Sequence, residues 1–229
     1  MRKSEEFERP ILTVDVVLFT LFNGRLHVFL PKREREPFLG LPALVGGYIH
    51  TDEDEDTHSA AVRVLHQKHF VEVPYLEQLA MFSGKKRDPR GWSATMAYIS
   101  MIPFEQFAAI DSTDFYPVDE LKNMKLGFDH AIIVFWAILR LRSKSSYSSL
   151  PVRMMPPTFT LLELQTVYEA MMGTKMEKNT FRYKIKEMGV VEPTGQKSDP
   201  KLTGCRPADL YRATDHTLWF FNSGMTVTS

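Results

Sequence analysis

The chain has 229 residues, 44% of them hydrophobic and 24% charged, which is ordinary for a globular protein and enough for one large domain or two small ones. Its 28 Lys+Arg residues balance 28 Asp+Glu residues, so no global field draws it to nucleic acid or membrane, and any such role falls to local patches. The single cysteine, Cys205, excludes an intramolecular disulfide framework and suits a reducing cytosol.

The stretch Met1 to Glu6 is charged with no apolar run behind it, so no signal peptide is expected. The longest apolar run, Ala131 to Leu139, falls short of the roughly 20 residues a bilayer span needs. A cytoplasmic chain without a membrane partner is therefore expected.

In chain order, Leu12 to Leu30 predicts a β-hairpin. Val14, Val16, Leu18 and Thr20 alternate with Thr13, Asp15, Val17 and Phe19, and Asn23-Gly24 supplies the tight turn. A charged loop from Lys32 to Glu36 and a Gly/Pro-punctuated turn from Gly40 to Gly47 follow. The acidic run Asp52 to Asp56 opens a helix expected to reach His69, burying Ala61, Val62 and Leu65. Strands are predicted over Leu76 to Phe82 and Ser93 to Met101, joined by the basic loop Gly84 to Gly91, with a short strand near Asp114 to Val118. Phe128 to Leu141 predicts an apolar helix buried on most sides, against its own chain or a partner subunit.

Ser143 to Pro151 is serine-rich, and Pro156-Pro157 closes the stretch. The expected domains are therefore 1–142, a linker over 143–156, and 157–229. In the second domain Thr160 and Glu163 form a capping box, opening a helix that stops at Gly173 with Leu161, Leu164, Val167 and Tyr168 on one side. A second helix, about Glu177 to Met188, buries Phe181, Ile185 and Met188 and ends at Gly189. Val190 to Pro193 and Leu210 to Ala213 read as strands around a polar loop holding Lys197, Lys201 and Arg206. Helix, turn, helix, strand, basic loop, strand is the outline of a winged helix-turn-helix. The overall fold class is α+β.

Two groups of residues carry candidate chemistry. On the second helix, Lys178, Arg182 and Lys186 recur at helical spacing opposite the apolar stripe, with Asn179, Thr180 and Lys184 beside them. Cations there can contact phosphate or guanine, and Asn can read adenine in a major groove. In the first half, Arg33, Arg87 and Arg90 are candidates for ligand phosphate, Arg87 and Arg90 equally for a DNA backbone.

Gly46-Gly47, Glu55, Arg63 and Leu65 follow the outline of a Nudix box, which reads G-x5-E-x7-R-E-U-x-E-E-x-G-U with U aliphatic. Two extra residues separate Gly47 from Glu55. Val64, Gln67 and Lys68 stand where three carboxylates would hold Mg²⁺, a hard cation that needs oxygen ligands. Glu53 to Asp56 are the alternative metal ligands. An acidic run there is more often a solvated helix start, with Glu55 paired to Arg63.

The lead-in Leu39 to Ile49, Phe128-Asp129-His130-Ala131, the helix pair Phe159 to Gln165 and Lys178 to Lys184, and Arg206 to Tyr211 together resemble the NrtR-type Nudix-related transcriptional regulators. The resemblance spans about Leu12 to Ala213. It implies a Nudix-like α/β/α sandwich that senses a nucleotide metabolite such as ADP-ribose, with Arg33, Gly46, Gly47, Arg87 and Arg90 as ligand-binding residues. It implies a homodimer whose winged helix binds a double-stranded DNA operator and controls NAD-metabolism genes; no cofactor is expected, and the replaced carboxylates at Val64, Gln67 and Lys68 argue against metal and catalysis. A Nudix hydrolase of ADP-ribose, a regulator of sugar use, and a ligand-binding protein whose second domain grips protein remain as alternatives.

Overall fold

The computed structural model describes residues 9–67, 75–102, 112–199, 206–214, 218–221 and 225. Two compact units emerge: Met1–Thr20, His27–Ile102 and Gln106–Ala137 form one, and Leu21–Leu26, Pro103–Glu105 and Ile138–Ser229 the other. Among the described residues no helix is long and apolar enough to cross a membrane.

The expected hairpin forms as β1 (Ile11–Phe22) and β2 (Arg25–Phe29). Asn23 and Gly24 both take left-handed backbone, at φ 51° and 71°, as a two-residue turn matched to the strand twist requires. β3 (Val45–Tyr48), β4 (Leu76–Gly84), β5 (Ser93–Met101) and β6 (Phe115–Pro117) complete a six-stranded mixed sheet. Its order is β4-β5-β1-β2-β6, with β3 added antiparallel to β1. β1 runs parallel to β5 and is buried on both faces, with Val14, Val16, Val17, Leu18 and Phe19 all at 0% exposure. Such a strand reads as a continuous apolar run, and the polar Asp15 in its middle stands out.

α1 (Thr57–His66) begins where Asp56 caps it: its carboxylate accepts from the Ser59 amide at 2.8 Å, and the Ser59 hydroxyl accepts from the Asp56 amide. Its buried face is Ala60, Ala61, Val64 and Leu65, whereas Val62, expected inside, is only half-buried. The expected end of this helix at His69 lies outside the described residues, as do Lys68, Lys201 and Cys205.

α2 (His130–Tyr147) departs from expectation twice. It buries Ile133, Val134, Ala137 and Leu141 but leaves Ile132, Phe135, Trp136 and Leu139 between 40% and 56% exposed. It is thus amphipathic without being polar outside. It also runs through the serine-rich stretch expected as linker, and a short 3-10 turn, Leu150–Met154, follows. The Ser145 and Ser148 hydroxyls donate to the carbonyls of Leu141 and Lys144, so helix backbone satisfies them. Residues 219–221 and Met225 then lie along this stretch. Trp219 and Phe221 exchange backbone bonds with Ser149 and Tyr147, and Phe220 stacks on Tyr147.

In the second unit α3 (Leu161–Met172) starts at the capping box of Thr160 and Glu163 and stops at left-handed Gly173. α4 (Lys178–Met188) is capped by the Glu177 carboxylate and stops at left-handed Gly189. Glu169 pins the turn between them, accepting from the Met176 amide, Gln165 and Lys175. β7 (Phe159–Thr160), β8 (Val191–Lys197) and β9 (Asp209–Ala213) form a sheet of order β7-β9-β8, so the basic loop connects β8 and β9 as a wing. One core joins Phe159, Leu164, Tyr168, Phe181, Ile185, Val191 and Met225; Val167, expected in it, is half-buried.

Phe181 has 0% exposure and meets Tyr168 edge-on at 5.5 Å. Phe181→Ala is expected to cost the second unit about 3–5 kcal/mol, read as a lowered unfolding midpoint in denaturant.

Candidate functional site

Asp15 is central to the first unit's site. It lies opposite Gly46 of β3 in the strand register and is 6% exposed. A buried carboxylate needs partners, and two cationic or polar groups supply them. Arg87 Nη2 lies 3.5 Å from Asp15 and also forms a two-pronged pair with Asp129, at 3.0 and 3.1 Å. His130 Nε2 lies 3.6 Å from Asp15, while its Nδ1 accepts from the Leu44 amide at 2.9 Å. Accepting at Nδ1 puts the proton of the neutral ring on Nε2, facing Asp15. Burial lowers the His130 pKa, only partly opposed by Asp15 and Asp129.

This network fixes the floor of a cavity of about 130 Å³ lined by Thr13, Asp15, Arg33, Gly46, Gly47, Tyr48, Asp88 and Arg90, among others. A groove of about 530 Å³ shares Arg87, Asp88 and Phe128 with it and adds Phe38, Lys85, Lys86 and Trp92. The glycines are there for room: a Cβ on Gly46 would lie 2.1 Å from Asp15 Oδ1, and one on Gly47 would lie 3.1 Å from Val64 Cγ2.

Arg33 and Arg90 converge on one aromatic ring. Their guanidinium carbons stand 4.7 and 5.7 Å from the centre of Phe128. Arg90 is held by the buried Asp88 through bonds of 2.7–3.2 Å and also donates to the Tyr48 hydroxyl. Burial alone would raise the Asp88 pKa; the Arg90 bonds outweigh it and hold the group below its ordinary value. The Arg33 guanidinium donates to the Pro37 carbonyl, at 2.7 Å, and among the described residues no carboxylate pairs with it. Burial, then Arg90, lowers its pKa. A guanidinium without an ion-pair partner has donors left for an anion. Phe38 and Phe128, in edge contact at 4.8 Å, both hold positive φ, 68° and 53°. Such backbone is rare for bulky residues and concentrates at functional sites.

All five expected ligand residues, Arg33, Gly46, Gly47, Arg87 and Arg90, line this cavity. Arg87 differs from the others in that its side chain is 7% exposed and its donors engage Asp129, Asp15 and Ser93. The prediction missed Asp15, Asp88, Phe128 and His130. Phe128-Asp129-His130 had been singled out as a sequence, so a signal for two of them was present.

The residues along α1 do not fit a divalent cation. Val64 is 3% exposed and faces Gly47. Asp54 receives Arg63 through two bonds of 2.7 Å and accepts from the His50 amide; it, and not Glu55, is the partner of Arg63. Asp56 is the helix cap and Glu55 is exposed. Among the described residues no three His, Cys, Asp or Glu are grouped to hold a metal.

In the second unit a groove of about 480 Å³ runs between α4, the start of α3 and the wing. Lys178, Arg182, Lys186, Lys197 and Arg206 all line it. Lys197 shares its charge with Asp209 at 3.4 Å. Of the other expected DNA contacts, Asn179 is exposed outside the groove wall, Thr180 and Lys184 are half-buried away from it, and Lys201 lies outside the described residues.

Residues 151–213 match the family described as the NrtR DNA-binding winged helix domain. The chain is 37% identical over 214 residues to the ADPR responsive transcriptional repressor NtrR of Acinetobacter baylyi, covering 92% of this chain and 84% of that protein. The crystal structure of Shewanella oneidensis NrtR complexed with a 27mer DNA is 34% identical and superposes with a TM-score of 0.82, covering 94% of this chain and 99% of that one. The Nudix domain of the same protein complexed with ADP ribose is 36% identical, with a TM-score of 0.53, over 61% of this chain and 94% of that one.

The Asp54–Arg63 clamp has a pH signature. The Arg63 hydrogen bond depresses the Asp54 pKa from 3.8 to about 2. Its stabilisation is therefore complete above pH 3.8 and fades as pH falls through about 2. Asp54→Asn is expected to melt below the wild type at pH 7, and the two melting temperatures converge only in that acid window. Thermal melts across pH check this, and a gap that persists unchanged at pH 2 refutes it.

Proposed function

The chain belongs to the NrtR family of transcriptional regulators, and on that premise we propose that it is an operator-binding repressor whose Nudix-like unit senses ADP-ribose. The controlled genes are those of NAD metabolism. What carries the reading is that the correspondence with a repressor runs through both units, over 92% of the chain. The fold is accordingly a Nudix domain joined to a winged helix.

The chemistry of each site supports its role. Arg33 and Arg90 supply charge-assisted donors for an anionic diphosphate, and Phe128 beneath them supplies an apolar face. With Val64 and Gln67 in place of carboxylates, that part of α1 supplies no acid to hold a metal that would activate water, so the effector is bound and released intact. The basic groove beside the wing neutralises backbone phosphate, a contribution that falls steeply with salt.

Two half-sites about one helical turn apart require a dimer. The exposed stripe Ile132, Phe135 and Trp136, one face of α2 by its spacing, supports α2 as the surface that joins two copies. An effector that prefers one dimer geometry shifts the population between DNA-competent and DNA-free states.

Titration calorimetry with ADP-ribose tests the sensor. Wild type is expected to bind it, and Arg33→Ala to weaken it about tenfold to hundredfold, the worth of a charged hydrogen bond. Incubation with ADP-ribose and Mg²⁺ is expected to release no AMP; metal-dependent turnover abolished by a chelator refutes the silent-sensor reading. On DNA from upstream of the gene, Lys178→Ala and Arg182→Ala are each expected to weaken binding and reduce the salt slope by about one. Unchanged affinity in both excludes α4 as the DNA helix.

A further inference from the structure

Tyr183 is the most exposed large apolar side chain among the described residues, at 68%. No hydrogen bond, ring contact or ion pair ties it to another described residue. Its place on α4 is specific. Residues turn about 100° per step around a helix axis. Phe181 and Ile185, both at 0% exposure, mark the pole that faces the core. Tyr183 falls within about 20° of the opposite pole, with Asn179 about 40° to one side one turn earlier. Lys178, Arg182 and Lys186 lie progressively around that same side and turn into the groove beside the wing. The outermost ridge of α4 therefore carries an amide and a phenol, and the cations occupy its shoulder.

Glu187 sharpens the distinction. It is exposed, four residues beyond Tyr183 and close to the same ridge. A carboxylate there repels backbone phosphate, whereas base edges tolerate it, because a cytosine amino group donates to it. A ridge without cations suits the floor of a major groove, and a cationic shoulder suits its phosphate wall.

We propose that Tyr183 is a specificity-determining residue at the tip of α4, its ring packed against the C5 methyl of an operator thymine beside Asn179. Lys178, Arg182 and Lys186 hold the phosphates. This rests on the operator-binding reading above. It assigns sequence discrimination to a residue that carries no charge, and affinity at low salt to residues that carry no sequence information.

The test uses the full-length chain and the duplex that wild type enriches from a pool of random DNA. That duplex is compared with a scrambled one and with a copy carrying uracil for thymine in both half-sites. Tyr183→Ala is expected to lose about tenfold to hundredfold on the enriched duplex, the cost of one misread position. It is expected to bind the scrambled duplex as wild type does, with the same salt slope and an unchanged melting temperature. Removing the methyl groups is expected to weaken wild type about three- to fivefold per contacted thymine and to leave Tyr183→Ala unaffected. Tyr183→Phe, which keeps the ring, retains the sensitivity to uracil.

Equal losses on both duplexes, a shallower salt slope, or indifference of the wild type to uracil overturns the assignment. So does a Tyr183→Ala chain with unaltered discrimination but an altered sedimentation coefficient, which places the residue in a protein contact. A wild type that enriches no duplex defeats the operator-binding reading and this inference with it.

Discussion

A carboxylate sits where the sheet is driest. Asp15 lies mid-strand in β1 between residues of zero exposure, and removing a charge from water there costs several kcal/mol unless it is paired. Its partners come from three directions: Arg87 from the β4–β5 loop, His130 from the first turn of α2, and the bare backbone of Gly46 pressed against it. Each is positioned because Asp15 is there. Arg87 in turn fixes Asp129, and His130 fixes the Leu44 amide at the entrance to β3. The pocket walls are thus held by one connected set of polar contacts, in which each buried polar group answers to another.

Above this floor the electrostatics reverse. Arg90 is neutralised by Asp88, but Arg33 has no carboxylate among the described residues. The upper wall therefore presents one guanidinium without an ion-pair partner over an aromatic surface. In the outline from which this sequence departs, the α1 side of the pocket would be lined with acids around a cation. Here that side presents Val64, and the remaining acids hold the loop and cap the helix.

Local chemistry was the most legible part of the sequence. Asn23-Gly24, the Thr160/Glu163 box and the glycines at 173 and 189 each specify a backbone geometry within a few residues, and each formed as read. What escaped depended on distant partners. The serine-rich stretch has a linker's composition, but its hydroxyls turn back on their own helix, and its backbone partners lie about 70 residues later. The basic loop reads as a candidate for phosphate, and nothing in it shows that Arg87 pairs with Asp129, 42 residues away. Arg63 took Asp54 in place of Glu55, a matter of loop shape that spacing does not encode.

Residues 219–221 and Met225 set limits on how the second unit is divided. Met225 is wholly enclosed in the core of the winged helix, and the Tyr168 hydroxyl reaches back to the Ser148 carbonyl. Met225 and Ser148 both lie beyond the borders 151–213 that define the matched domain. Excised at those borders, the module would be missing a stone from its centre and the buttress behind its first helix. Autonomy belongs to a longer piece, one that reaches back into α2 and forward past the wing.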